Sequence, residues 1–145
     1  MHPRPFRFGT IVQVADSKEE WRGKARQVED LGYAVLLVPD HIGSQFDVFK
    51  QLAPIPALVA AADATSSIRL GSFVFDNDFR HPVMLAREAA TLDVLSEGRF
   101  ELGIGAGWVP AEYQQIGLTF ERGEVRTSRL QEEFRSSKDI LLKIH

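Results

Sequence analysis

"IRLGSFVF" (Ile68–Phe75) is followed by "HPVMLAREAATLDVLSEG" (His81–Gly98) and then by "FELGIGAG" (Phe100–Gly107). The outer two segments are short apolar runs with aromatic and β-branched residues, the signature of strands. The middle segment has proline at its second place and glycine at its end, which predicts a helix bounded by Pro82 and Gly98. Two strands separated by a helix lie parallel, because only a crossover of that length can return the chain to the same edge.

The same unit recurs on both sides. "FRFGTIVQV" (6–14) reads as a strand, and "DSKEEWRGKARQVEDLG" (16–32) as a helix capped by Asp16 or Ser17. Trp21, Ala25, Val28 and Leu31 recur at helical spacing in it, and Gly32 ends it. "AVLLVPDH" (34–41) is a continuous apolar run, as in a strand covered on both faces, and "PIPALVAAADATSS" (54–67) reads as the helix after it. Beyond the fourth strand, "PAEYQQIG" (110–117) suits a short helix and "GEVRTSRLQEEFRSSKDILLKI" (123–144) a long one. Four strand-then-helix units predict an α/β fold with a parallel sheet. Two architectures fit: an open doubly wound sheet, or part of a (β/α)8 barrel of the TIM type. A whole barrel takes ~250 residues. The 145 residues here suit about four units, a half-barrel, in a single domain over residues 1–145.

The charge balance, net −3, gives no reason to expect nucleic acid or an anionic membrane as partner. Absence of cysteine excludes disulfides and thiolate metal sites. The start, "MHPRPFRFGTIVQV", lacks the apolar core of a signal peptide, and no run reaches membrane-spanning length. The expectation is a cytoplasmic protein that acts on a small molecule.

In either architecture, ligands bind at the carboxyl ends of the strands. Polar residues there are Gln13, Asp40, His41, Asp76, Asn77 and Asp78, with Trp108 after the last strand. Gly103, Gly105 and Gly107 alternate, so one face of that strand is nearly bare. Either the chain packs tightly there, or a flat ligand lies against the backbone. A dinucleotide-binding loop is disfavoured: the spacing is G-x-G-x-G rather than G-x-G-x-x-G, and Trp108, Val109 and Pro110 follow. His41 suits a general acid or base, since an imidazole side chain can exchange a proton near neutral pH; the alternative is a histidine fixed by a loop hydrogen bond. His81 suits a helix start, Asp76-Asn77-Asp78 a loop and cap, and Arg80 either an anion or a carboxylate partner.

Taken together, "YAVLLVPDH", "LGSFVFDNDFRHPVMLAREAATLDVLSEGRFELGIGAGW" and "EYQQIG" resemble the luciferase-like monooxygenase superfamily, most closely its deazaflavin (F420)-dependent oxidoreductase branch. The resemblance runs from about Phe6 to about Leu130 and covers the N-terminal half of a typical member. It implies a (β/α)8 barrel truncated to a half-barrel, with F420, or alternatively FMN, at the mouth. It implies His41 as the catalytic residue beside the reacting carbon. Cofactor contacts are implied at Gln13, Asp40, Phe73, Val74, Asn77, Ala106, Gly107 and Trp108, with the glycines letting the ring approach the backbone. A non-prolyl cis peptide is implied at Phe73-Val74. Trp108 and Gln13 stand where some relatives have glutamate. A half-barrel would leave strands one and four as open edges, to be closed by a homo-oligomer or by a second chain. The alternatives are an FMN-dependent monooxygenase and a non-catalytic binding module.

Overall fold

Consecutive strands lie side by side in chain order, and this distinguishes the two architectures. The computed structural model describes residues 6–43 and 51–144. Strands β1 (Gly9–Ile11), β2 (Val35–Val38), β3 (Arg69–Ser72) and β5 (Phe100–Glu101) form one parallel sheet in the order β1-β2-β3-β5. A second parallel pair, β4 (Phe75–Asp76) and β6 (Ile104–Gly105), prolongs the third and fourth strands. Helices α1 (Lys18–Asp30), α2 (Pro54–Ala64) and α3 (Pro82–Leu95) connect the strands, and α4 (Pro110–Gln115) and α5 (Gly123–Ile144) follow. A doubly wound sheet reverses its strand order at a switch point. No reversal occurs among these strands, as in the opening units of a TIM barrel. No helix among the described residues is long and apolar enough to cross a membrane. Residues 1–5, part of the segment read as lacking a signal peptide, lie outside the described residues.

The strands are shorter than their apolar runs. The expected strand over 6–14 is regular only at Gly9–Ile11. Its ladder still extends through Ala34 N to Phe8 O (2.8 Å) and Val12 N to Leu37 O (2.9 Å) before Val14 turns to bridge Gln51. The third and fourth strands each break in the middle. The Phe73-Val74 peptide bond is cis. Opposite it, the Ser72 hydroxyl donates to Gly103 O (2.7 Å) and accepts from Gly103 N (3.0 Å), so a side chain replaces the backbone pairing for one step. Pairing resumes when Phe75 N donates to Gly103 O (2.9 Å).

One face of the sheet is sealed by helices. Leu36, Val38 and Leu70 are wholly buried against Ala25, Leu58 and Ala61. Trp21 Nε1 donates to Ala57 O (2.8 Å) and ties α1 to α2, satisfying the one polar atom of a buried indole. Ser17, not Asp16, caps α1: its hydroxyl accepts from Glu20 N, while the Glu20 carboxylate accepts from Asp16 N, a form of capping box. Burial pushes the Glu29 carboxyl up, but N–H groups of Ile68 and Ser67, the Ser67 hydroxyl and Ser66 N–H outweigh it and bring it down to about 2. Arg99 holds the end of α2 through the carbonyls of Ala62 and Thr65.

Candidate active site

At the carboxyl ends of the strands lies a cavity of about 350 Å³, open to solvent. Ile11 and Gln13 come from the end of β1, Pro39, Asp40 and His41 from β2, Phe73, Val74 and Asp76 from the broken third strand, and Gly107, Trp108 and Glu112 from beyond the fourth. Seven of the nine residues singled out from the sequence therefore meet here: Gln13, Asp40, His41, Phe73, Val74, Gly107 and Trp108. The walls are apolar and accessible: Ile11, Phe73, Val74 and Trp108 are each exposed to between 39% and 66%.

His41 is held by a residue the sequence reading passed over. Its Nδ1 lies 3.0 and 3.2 Å from the two carboxylate oxygens of Glu112, which is 3% exposed. Glu112 Oε1 also accepts from Ile42 N and Gly43 N, each at 3.0 Å. Glu112 Oε1 already accepts from two backbone N–H groups, so the pairing with His41 places the imidazole hydrogen on Nδ1. The rings of His41 and Trp108 meet edge to face, 6.0 Å apart. Asp40 has a different task. Its Oδ1 accepts from Arg80 Nη2 (3.0 Å), its Oδ2 from Arg80 Nη1 and from Asp76 N (3.1 Å). The choice left open for Arg80 is thus decided: it pairs with a carboxylate and stacks on the Phe75 ring at 5.0 Å.

Tyr113, next to Glu112 on α4, supplies a second buried network. Its hydroxyl lies 3.0 and 3.2 Å from the Asp76 carboxyl oxygens and 3.0 Å from Asp78 Oδ2, and Asp78 Oδ1 accepts from Arg129 (2.7 Å). Burial pushes the Asp76 carboxyl up. Burial and the adjoining Asp76 carboxylate likewise raise the Tyr113 phenol, which stays protonated.

The alternating glycines serve the chain's own packing, the first of the two readings of the run. A Cβ at Gly103 would strike the Ser72 carbonyl, and one at Gly105 would come 2.5 Å from Val74 Cγ2. At Gly107, φ is +74° and a Cβ would strike the Tyr113 hydroxyl and Asp76 Oδ2. Two other expected positions lie away from this cavity. Ala106 does not line the cavity; its carbonyl accepts from Arg126 Nε (3.0 Å), which α5 supplies. Asn77 is buried and faces a separate small cavity with Glu133, Leu85 and Phe134. It sits in a 3-10 turn (Asn77–Phe79) capped by Asp76, so the Asp-Asn-Asp run is a turn and cap, and His81 caps α3. No cluster of metal-ligating side chains occurs among the described residues. The signal for the missed pair was "EY" in a helix that Pro110 starts just past strand four, where adjacent residues diverge by about 100°.

A sequence profile of luciferase-like monooxygenases matches residues 5–134. The chain belongs to the luciferase-like monooxygenase family. This luciferase-like chain is 35% identical over 94 residues to 4-hydroxyprotoasukamycin monooxygenase of Streptomyces nodosus subsp. asukaensis, covering 65% of itself and 25% of that protein. It is 30% identical over 135 residues to F420-dependent glucose-6-phosphate dehydrogenase of Nakamurella multipartita, covering 91% of itself and 40% of that protein. Its fold matches the oxygenating constituent of 3,6-diketocamphane monooxygenase from Pseudomonas putida, solved with FMN, at TM-score 0.77 and 23% identity over 92% of this chain and 39% of the other. The luciferase-like chain spans less than half the length of the curated relatives it matches. Those relatives include both F420-dependent enzymes and monooxygenases.

Proposed function

We propose that this chain carries the ring-facing part of an F420-dependent oxidoreductase that moves a hydride between the deazaflavin and a small organic substrate. The observation that carries the reading is the His41–Glu112 pair at the floor of an apolar-walled cavity. The cavity suits a flat aromatic system: Ile11, Phe73, Val74 and Trp108 offer apolar contact, while Gln13 and His41 offer polar atoms. Neither Lys nor Arg is among the described lining residues, so a phosphate tail finds no cationic partner there. When bound, the cofactor supplies the hydride chemistry.

The chain's own residues orient and move protons. Glu112 fixes the imidazole plane, and His41 takes a proton from a substrate hydroxyl or returns it to a carbonyl oxygen. Arg80 neutralises Asp40 and so fixes the turn that presents His41. The similarity to a monooxygenase supports a second reading in which FMN takes the place of F420. The proposal includes a homo-oligomer or second chain that covers the sheet edges at β1 and β5.

Turnover of a panel of small alcohols with F420, set beside oxygen consumption with reduced FMN, tests the reading. Alcohol-dependent F420 reduction that falls about 100-fold in His41→Ala, with ring binding retained, is the expected result. Oxygen consumption with FMN and none with F420 would replace it by the second reading.

A further inference from the structure

Two carboxyl groups share one phenol beside the cavity, and the hydrogens do not suffice if both are ionised. Tyr113 has a single hydroxyl hydrogen, yet its oxygen lies 3.0 Å from Asp76 Oδ1, 3.2 Å from Asp76 Oδ2 and 3.0 Å from Asp78 Oδ2. Donation to one carboxylate leaves the phenol oxygen facing an unshielded oxygen of the other. One added hydrogen removes the conflict.

Charges around the cluster decide which carboxyl takes it. Arg129, from α5, pairs with Asp78 Oδ1 at 2.7 Å and so favours placing the added hydrogen on the other carboxyl. Among the described residues Asp76 forms no ion pair, and Arg80, which stacks on the neighbouring Phe75 ring, is engaged by Asp40 from the end of β2. Asp40 itself adds a negative charge, accepting from Asp76 N at 3.1 Å. Arg126 of α5 is turned to the carbonyls of Ala106, Gly107 and Glu121. Glu112, beside Tyr113 on α4, adds no cation. Asp76 is 7% exposed and lines the cavity.

We infer that Asp76 is a neutral carboxylic acid at pH 7, donating to the Tyr113 oxygen while Tyr113 donates to Asp78. The chain Asp76–H, Tyr113–H, Asp78, Arg129 is then satisfied at every step. Desolvation and the like charges of Asp78 and Asp40 push the Asp76 carboxyl up, outweighing the Asp78 N–H (2.9 Å from Oδ1) and the Tyr113 hydroxyl, which favour its ionised form. The consequence is a second proton at the cavity, on a carboxylic acid, in addition to the one His41 exchanges. Its use in turnover rests on the oxidoreductase reading; its existence does not.

Infrared spectroscopy of the whole chain tests the protonation directly. A protonated carboxylic acid gives a C=O stretching band that ionised carboxylates lack, and deuterium exchange shifts it. The expected result at pH 7 is a band in the wild type that disappears in Asp76→Asn and persists in Glu133→Gln, the control for the other carboxyl that desolvation pushes up. Absence of the band in the wild type overturns the inference, as does its persistence in Asp76→Asn. If Asp76→Asn fails to fold, wild-type protein carrying 13C at the aspartate carboxyls serves instead. One aspartate resonance in the protonated range at pH 7, moving as the pH rises, is expected; none there overturns the inference. Should the acid also serve turnover, Asp76→Asn slows it about 100-fold. An infrared band together with unchanged turnover would leave the protonation standing and count against the oxidoreductase role alone.

Discussion

Substituting Gly107 by alanine separates the two explanations of the glycine run. Two costs add at this position. The backbone sits at φ +74°, where a Cβ costs ~1–2 kcal/mol. The same Cβ strikes the Tyr113 hydroxyl and Asp76 Oδ2, and forcing extra volume into a packed site costs a further ~1–3 kcal/mol. The sum is roughly 3 kcal/mol, equivalent to a fall of about 10 °C in Tm for a domain of this size. Gly32 is the internal reference. Its φ is +80°, but a Cβ there meets nothing within 4 Å. Gly32→Ala should therefore show the backbone cost alone, about 1–2 kcal/mol. Urea unfolding of the two variants beside wild type, followed by circular dichroism, measures both losses with one slope. Equal losses would refute the reasoning, because the contact with Tyr113 and Asp76 would then contribute nothing. A large loss at Gly32 and none at Gly107 would refute it more completely.

Glu112→Ala removes the acceptor from His41 Nδ1, Ile42 N and Gly43 N, at about 1 kcal/mol each; a stability loss of roughly 3 kcal/mol is expected in denaturant titrations, and a loss below about 1 kcal/mol would count against the network. Glu112→Gln keeps an acceptor for the two backbone groups but turns an amide toward His41, so long-range nitrogen-15 NMR should show the imidazole hydrogen moving to Nε2; an unmoved hydrogen contradicts the tautomer assigned here. The depressed Glu29 carboxyl contributes stability that is present above its ordinary value of 4.5 and lost as pH falls toward about 2; Glu29→Gln should flatten the stability profile over that window, and an unchanged profile would refute the assignment. The raised Asp76 carboxyl acts with the opposite sign: its contribution is complete below 3.8 and is lost as pH rises through the native value. Asp76→Asn should therefore gain stability relative to wild type as the pH is raised, and a relative loss over that range would contradict it.

The fold was legible because periodicity and punctuation agree. Pro82 and Gly98 bound a helix between two apolar runs, and the same grammar repeats four times. The strand breaks were legible only in part: the family resemblance implied the cis bond at Phe73-Val74, but nothing in "GSFVF" shows that the Ser72 side chain replaces the backbone pairing there. At the site, topology sufficed to bring Gln13, Asp40, His41 and Trp108 together, since all follow strand ends, while Phe73, Val74 and Gly107 came from the family resemblance. Asn77 and Ala106 follow strand ends too, but a 3-10 turn and an arginine from α5 turn them elsewhere. Glu112 and Tyr113 escaped notice because their partners are 71 and 35–37 residues away, a separation no local pattern encodes. The glycine run looked like open floor because sequence shows the missing side chains and not what fills their place.

The central claim is that the cavity framed by His41, Val74 and Trp108 receives a flat deazaflavin or flavin ring. Titration of the protein with F420 and with FMN tests it most directly, following fluorescence of the exposed Trp108 against a Trp108→Phe control. Quenching that saturates in the micromolar range with one of them, and is lost in the control, is the predicted result. Titrations that leave the Trp108 signal unchanged with both compounds would contradict it.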